Sequence, residues 1–130
     1  MIIDSVVWIA LKYSRDKWHQ QAVKLQEKIL SAPKIFITEG ILVETYNFLL
    51  RKVSAKIALE TFTDLINSNE IEILSNNSVS FNGTRSILEK YSQLSYTDAN
   101  LVWHADRIGI TEVLSFDPGF DPVPWIQRIS

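Results

Sequence analysis

Four acidic residues lie at positions where their carboxylates could share one piece of chemistry: Asp4, Glu44, Asp98 and Asp117. A carboxylate that points into a protein interior loses much of its solvation free energy unless it is paired with a cation. No set of lysines or arginines at matching inward positions would neutralise all four acids. A divalent cation is the simpler explanation. Oxygen-only ligands in a chain without cysteine favour Mg²⁺ or Mn²⁺ over zinc.

Short apolar strands alternate along the chain with the helices that would position these acids. Strands are predicted at 2–3, 34–38 and 71–74, in the short apolar run before residue 117, and at 125–129. Helices are predicted at 6–11, 18–30, 39–52, 54–67 and 76–91, with one more opening near residue 97. The alternation predicts one α/β domain over 1–130, with a central parallel sheet of four to five strands and helices on both faces.

Open sheets of this kind bind ligands beyond the carboxyl ends of their strands. Asp4 follows the first strand and Asp117 follows the fourth. Glu44 lies in the helix after the second strand, and Asp98 opens the helix before the fourth. We therefore expect the four acids to converge on one rim of the sheet.

The helical spacing around two of the acids predicts that they face inward. Glu44 shares a stripe with Ile41 and Phe48, in a helix expected to be mostly buried. Asp98 heads a second stripe, formed by residues 101, 102 and 105, that should face the sheet. Both acids would then need a charged partner.

Each acid also has a structural interpretation. Asp4 and Asp98 suit helix starts, and Asp117 before Pro-Gly suits a turn. Glu44 has no capping role in the middle of a helix, and the joint pattern of four acids favours a metal site. Supporting roles are predicted for Thr97, Ser115 and Asp121, the last through a water, whereas His19 and His104 are expected to be surface or packing residues.

Composition narrows the class of protein. The formal net charge is −2 and the pI is near 5.6, which excludes a strongly basic nucleic-acid binder but permits a local basic groove. The first residues lack a basic segment followed by a long apolar run, and no apolar run approaches ~20 residues. We expect a cytoplasmic protein that does not enter a membrane.

The chain resembles the PIN-domain ribonucleases, and in size and order it resembles the VapC-type toxins of toxin–antitoxin pairs. The matching pieces are Ile2-Ile-Asp-Ser5 with Trp8-Ile-Ala10, Ile37-Thr38 leading to Val43-Glu44, Leu94-Ser with Thr97-Asp98-Ala99, and Val113-Leu-Ser-Phe-Asp117 with Phe120. The resemblance places the family's acidic quartet on the four residues named above. Ser115 stands where the family usually has threonine, and Asn100 and the proline-rich end depart from the pattern.

This resemblance implies a single PIN-like nuclease domain that hydrolyses RNA with Mg²⁺ or Mn²⁺, leaving 5′-phosphate and 3′-hydroxyl ends. Asp4, Asp98 and Asp117 would bind the metal, and Glu44 would bind it or help deprotonate water. A small antitoxin and a second copy of the chain are the implied protein partners. Arg51, Lys52 and Lys56 are candidates for contacts with the RNA backbone.

Two other functions fit part of the pattern. A catalytically inactive PIN-like module would bind only RNA or a protein. A phosphoryl-transfer domain with an aspartyl phosphate would need a lysine at a late strand end, and Ser115-Phe116-Asp117 contains none.

Overall fold

Five short parallel strands form one sheet in the computed structural model, which describes residues 1–130. They are β1 (Ile2–Ile3), β2 (Ile35–Thr38), β3 (Ile71–Leu74), β4 (Glu112–Leu114) and β5 (Gln127–Ile129). Their order across the sheet is β3-β2-β1-β4-β5, and every neighbouring pair is parallel. The predicted parallel sheet is confirmed, with five strands where four to five were expected.

Seven α-helices and a short 3-10 turn connect the strands. The helices are α1 (Ser5–Lys12), α2 (His19–Lys24), α3 (Gln26–Ser31), α4 (Glu39–Lys52), α5 (Ala55–Asn67), α6 (Ser78–Lys90) and α7 (Tyr96–Ile108), and the 3-10 turn is Pro118–Phe120. The single helix predicted at 18–30 was wrong, because the chain breaks at Leu25 between α2 and α3. No helix combines the length and the hydropathy that a membrane span requires.

Strand order determines which helices share a face of the sheet. The chain steps outward from β1 to β2 and β3, then returns past β1 to β4. Right-handed crossovers therefore place α1–α5 on one face and α6 and α7 on the other. Contacts of α4 with α1 and α5, and of α6 with α7, agree with this arrangement. The predicted layers on both faces are confirmed.

The core lies between the sheet and these two layers. Both residues of β1 are fully buried, as are Leu101, Val102 and Ala105 of α7, which form the predicted inward stripe. The prediction for α4 was wrong, because Val43 and Leu50 are 54% and 43% exposed. Only one side of α4 packs on the protein, so its other side faces solvent.

The order in which strands are added to the sheet reverses at β1, in the middle of the sheet. From β1 it continues toward β2, and only much later does it return to add β4 on the opposite side of β1. The Asp4 N–H donates to the carbonyl of Leu114 at 2.9 Å, which fixes the ends of β1 and β4 side by side. Such a reversal leaves a crevice at the carboxyl ends of the strands, where the residues after each strand meet.

Candidate metal centre and adjoining groove

Asp4 is the most buried of the four acids, with 2% of its surface exposed. Its Oδ1 accepts the Ser5 N–H at 2.8 Å and caps α1, while its Oδ2 accepts the Ser115 hydroxyl at 2.7 Å. Burial raises the pKa of Asp4 to about 6, against the effect of these two bonds and with a contribution from the charges of Glu44 and Asp117. Asp4 therefore caps α1, and its charged form is also destabilised by burial at the rim.

Ser115 and Asp117 continue the site from the end of β4. The Ser115 hydroxyl accepts the Asp117 N–H at 3.0 Å while donating to Asp4, so one side chain joins two of the acids. Asp117 Oδ1 accepts the N–H of Gly119 at 2.8 Å and starts the 3-10 turn. The turn role predicted for Asp117 is present, and Oδ2 is left without a hydrogen-bond donor from the protein.

Asp98 lies in the first turn of α7 but does not cap it. Ser95 is the cap, and its hydroxyl accepts the Asp98 N–H at 3.2 Å. Burial, followed by the charges of Asp4, Asp117 and Glu44, raises the pKa of Asp98 to about 7, while the hydrogen bond with Ser95 lowers it. The like charges acting on Asp98 show that the four acids are within electrostatic reach of one another.

A close approach of two helices brings Asp98 to this rim. Thr97 packs against Gly40 at the start of α4, where an added Cβ would lie 3.1 Å from the Thr97 methyl group. A larger residue at position 40 would push the two helix starts apart. Thr97 thus acts by spacing α7 from α4.

Glu44 reaches the site from α4, but the predicted inward orientation was wrong. Its side chain is exposed, because it lies at the border between the buried and solvent sides of the helix. The Ser5 hydroxyl donates to its Oε2 at 2.9 Å. Ser5 follows Asp4 directly, so this bond holds the Glu44 carboxylate beside the end of β1.

The four acids form no ion pair with a basic side chain. The structure contains four ion pairs, and none includes Asp4, Glu44, Asp98 or Asp117. The carboxylates share a rim without closing into a group of three or more metal ligands. Carboxylate oxygens are suitable ligands for a hard divalent cation, although these side chains do not converge on one position.

A cation that the sequence reasoning missed lies next to the quartet. Arg128 of β5 donates to both carboxylate oxygens of Asp121, at 2.7 and 3.1 Å, and one of its nitrogens lies 3.4 Å from the Ser115 carbonyl. The pair lowers the pKa of Asp121 and raises that of Arg128. Asp121 is therefore engaged by Arg128 rather than by the other acids. The pair ties the loop after Asp117 to β5.

The two histidines and Asn100 are packing residues. His104 is buried with Nε2 3.0 Å from Asn76 Oδ1, and the Asn100 amide donates to Asn76 and to Thr84 at 2.9 Å each. His19 Nδ1 lies 2.6 Å from a backbone carbonyl of α1. The contacts of Asn100 and His104 join α7 to α6 and to the residue Asn76 before it, whereas the contact of His19 joins α2 to α1.

A groove of about 680 Å³ opens beside the acidic rim. Glu44 and Asp117 border it, and Arg51 lines it from α4. Lys52 and Lys56 are exposed but do not line it, and Lys56 lies 4.0 Å from Glu60 in a surface ion pair. The sequence reasoning missed Asn47, although it follows Glu44 at the three-residue spacing of one helical face.

Comparison with known proteins identifies the family. The sequence profile of the PIN domain matches residues 1–126. Comparison with curated proteins gives no significant match. Among solved structures, the fold is similar to VapC20 from Mycobacterium tuberculosis, a sarcin–ricin loop cleaving toxin, with 19% identity and a TM-score of 0.86 over 96% of this chain and 95% of that one.

Two further structures share the fold at lower similarity. A toxin–antitoxin complex from Klebsiella pneumoniae has 14% identity and a TM-score of 0.69, covering 99% of this chain and 95% of that one. VapBC2 from Rickettsia felis, bound to a DNA fragment from its promoter, has 12% identity and a TM-score of 0.67, covering 98% and 96%. The sequence profile and the five-stranded sheet agree: the chain belongs to the PIN domain family.

Proposed function

We propose that this protein is a metal-dependent endoribonuclease and the toxin of a toxin–antitoxin pair. The observation that carries the proposal is a quartet of acids without an ion-pair partner. Burial raises the pKa of both Asp4 and Asp98, and the charges of neighbouring acids of the quartet add to the shift. Membership in the PIN family and the likeness to VapC structures support the same reaction class.

Asp4, Asp98 and Asp117 are the proposed metal ligands. Asp117 Oδ2 has no donor from the protein, and none of the three residues takes part in an ion pair, so their charge favours a bound cation. Mg²⁺ or Mn²⁺ bound there would stabilise negative charge on the phosphate and make water a stronger nucleophile. Ser115 holds the Asp4 carboxylate in a fixed orientation.

Glu44 is the proposed proton acceptor. It is exposed at the groove, where substrate and water have access, and the hydroxyl of Ser5 fixes one of its oxygens. Its other oxygen is then free to accept a proton from the attacking water. RNA would lie along the groove with Arg51 at its backbone, and Lys52 and Lys56 would meet more distant phosphates.

RNA cleavage by the purified protein tests the reaction. We expect cleavage with Mg²⁺ or Mn²⁺, none in EDTA, and a loss of at least about 100-fold in Asp98→Asn, since a ligand is removed. Asp106→Asn, an exposed acid on the same helix, is the matched control and should cleave normally. Cleavage that persists in EDTA or in Asp98→Asn would falsify the proposal.

One observation favours a second function, an inactive module that binds RNA or protein. The acids do not form a closed group of metal ligands. Calorimetric titration with Mn²⁺ separates the two functions, because the nuclease requires saturable binding that Asp98→Asn weakens. Heat that never saturates would support the inactive module.

The protein partners belong to the same proposal. A small antitoxin would bind this chain, as partners do in the solved toxin–antitoxin complexes, and two copies of the chain would form a homodimer. Expression of the chain alone should arrest growth, and Asp98→Asn should relieve the arrest. If growth is unimpaired although the expressed protein is soluble and cleaves RNA, the toxin role is excluded and the nuclease activity stands.

A further inference from the structure

A row of hydrogen-bonded polar side chains connects α6 to α7. The Thr84 hydroxyl donates to the backbone carbonyl of Ser80 at 2.8 Å. The Asn100 amide nitrogen lies 2.9 Å from Thr84 Oγ1 and 2.9 Å from Asn76 Oδ1, and His104 Nε2 lies 3.0 Å from the same Asn76 oxygen. Thr84 and Asn100 are 0% and 1% exposed, so water does not compete for the bond between them. We call the side chains of Thr84, Asn100, Asn76 and His104 the polar row.

The direction of every hydrogen bond in the polar row follows from the backbone carbonyl at one end. A carbonyl only accepts, so the Thr84 hydroxyl uses its one proton on Ser80 and accepts from Asn100. The group of Asn100 that faces Thr84 is therefore the NH2 group, which also faces Asn76. Asn76 must then present its oxygen to Asn100 and to His104, so His104 donates through Nε2.

His104 is held in one neutral form by these bonds. Burial lowers its pKa below the ordinary value of 6.5, against the charge of Glu39, so the ring is uncharged at pH 7.5. A neutral ring carries one proton, and the bond to Asn76 places that proton on Nε2.

Asn76 also connects the polar row to the helix that carries Glu44. Its backbone N–H donates to Glu39 Oε1 at 3.2 Å, and Glu39 is the first residue of α4. Asn76 therefore bonds to both α4 and α7, the helices from which Glu44 and Asp98 reach the rim.

Helix α7 is thus attached to the start of α4 at two places along its length. The first is the contact of Thr97 with Gly40, which sets the spacing of the two helices. The second lies at Asn100 and His104, which are roughly 5 and roughly 10 Å further along α7 at a helical rise of about 1.5 Å per residue. Two attachments prevent a rotation of α7 that one contact would allow, so the direction of Asp98 is fixed.

Stability alone does not explain a buried asparagine at position 100. Asn100 Oδ1 is buried and accepts no hydrogen bond, which destabilises the folded chain relative to an apolar side chain of similar size. The NH2 group of the same amide makes two bonds that join α7 to α6 and to Asn76. What this side chain contributes is therefore the position of α7.

We propose that Asn100 and Asn76 are positioning residues for the acidic rim: their hydrogen bonds fix the direction in which α7 presents Asp98 beside Glu44. In this role neither side chain contacts metal or RNA. The inference rests on the proposed function and extends the site beyond the acids and Ser115.

Nitrogen NMR of the isotope-labelled, metal-free wild-type protein tests the polar row without any substitution in it. The chain contains two histidines, so His104 is assigned by comparison with His19→Gln. At pH 7.5 we expect His104 to be the neutral tautomer with its proton on Nε2. A proton on Nδ1 would reverse the direction of the bonds and overturn the inference.

Asn100→Leu separates positioning from stability. It removes both donors of the amide, and the two acceptors that they leave keep their other hydrogen bonds. We expect Mn²⁺ affinity and kcat for RNA cleavage each to fall about 10-fold with KM unchanged, as when a residue that orients a metal ligand is removed. The midpoint of urea unfolding should be no lower than in the wild type. Lower stability with unchanged Mn²⁺ affinity and kcat would show a merely structural role and overturn the inference.

Thr84→Val is the second variant, because valine has nearly the same shape and only the hydroxyl is lost. It should weaken Mn²⁺ affinity in the same direction but less than Asn100→Leu does, since Asn100 keeps its bond to Asn76. Thr61→Val, at a buried threonine of α5 on the opposite face of the sheet, is the matched control and should leave Mn²⁺ affinity unchanged. An equal loss of affinity in the two threonine variants would overturn the inference.

Failure of this inference and failure of the nuclease proposal give different results. Saturable Mn²⁺ binding that is the same in wild type and Asn100→Leu overturns only the positioning role. A wild-type protein that neither binds Mn²⁺ saturably nor cleaves RNA refutes the nuclease. In that case the positioning role stands if Asn100→Leu weakens the nuclear Overhauser effect between the Thr97 methyl group and Gly40, and it falls if the effect is unchanged.

Discussion

The hydroxyl of Ser115 donates to Asp4 Oδ2 at 2.7 Å, joining residues separated by 111 positions in the chain. The same hydroxyl accepts the N–H of Asp117 at 3.0 Å. Because it both donates and accepts, it fixes the orientation of Asp4 relative to the start of the next turn. Two of the four acids are therefore positioned by a residue that is not itself an acid.

Replacing Ser115 with alanine should impair the proposed reaction. The bond from Ser115 lowers the pKa of Asp4, so its loss should raise that pKa above about 6 and move the acidic limb of the pH–activity profile upward. We expect activity at pH 6.5 to fall about 10-fold, and stability to fall by about 1–2 kcal/mol. Ser115→Thr retains the hydroxyl and should behave like the wild type. A threonine variant as impaired as the alanine variant would contradict this role.

The metal-free protein should become less stable as the pH rises from about 4 to about 7. Asp4 and Asp98 have pKa values of about 6 and about 7 in the native chain, above the ordinary value of 3.8. The native state therefore holds more protons than the unfolded state in this window, and the free energy of unfolding falls as those protons are lost. Urea unfolding in EDTA at several pH values measures the change.

Asp98→Asn isolates the contribution of one acid to that pH dependence. His104 acts in the opposite sense, since burial lowers its pKa below 6.5 and its stabilising effect is lost as the pH falls. That effect cancels when wild type and variant are compared at each pH. We expect Asp98→Asn to be the more stable protein at pH 7.5, with the difference vanishing near pH 4. A variant less stable at pH 7.5 would show that the charge of Asp98 is neutralised in the metal-free protein.

Divalent cations should reverse this destabilisation. Saturating Mn²⁺ binds the native state alone, so at about 100 times its Kd it should add about 2.7 kcal/mol to the free energy of unfolding. Differential scanning fluorimetry would show this as a rise in Tm that Asp98→Asn largely removes. Asp106→Asn should keep the full rise. An equal rise in all three proteins would indicate nonspecific binding.

The Arg128–Asp121 pair should affect metal binding more than stability. The pair holds the loop that follows Asp117 in place. Arg128→Gln should therefore weaken Mn²⁺ affinity about 3- to 10-fold, because Asp117 would be less firmly positioned. Asp121 is exposed, so solvent screens the pair and the loss of stability should be small. Lys34→Gln breaks a surface ion pair with Glu72 elsewhere and should change neither quantity. Unaltered Mn²⁺ affinity in Arg128→Gln would leave the pair without a role at the site.

Local chemistry made much of the fold predictable. Short β-rich runs and good capping residues marked the strands and helix starts, and Thr38 and Ser54 do cap α4 and α5 through their side chains. The break at Leu25 was not predictable, because the residues on both sides of it have helical spacing and no glycine or proline interrupts them.

The site was predictable in part. Strand-end rules placed Asp4 and Asp117 at the rim. Periodicity could not show where the buried side of α4 ends, so Glu44, which lies at its border, was predicted to face inward. The Arg128–Asp121 pair depends on the path of a proline-rich loop back to β5, which no local pattern specifies. Asn47 and Arg51 could have been found by extending the Glu44 face along its helix.

The position of β1 between β2 and β4 has a consequence for protein synthesis. The sheet cannot close on that side until the ribosome has made β4, more than a hundred residues after β1. Asp4 and Glu44 are made early, whereas Asp98 and Asp117 belong to the last third of the chain. A nascent chain that stops before β4 therefore holds only part of the quartet. The machinery that makes this protein meets the assembled site only once nearly the whole chain has been translated.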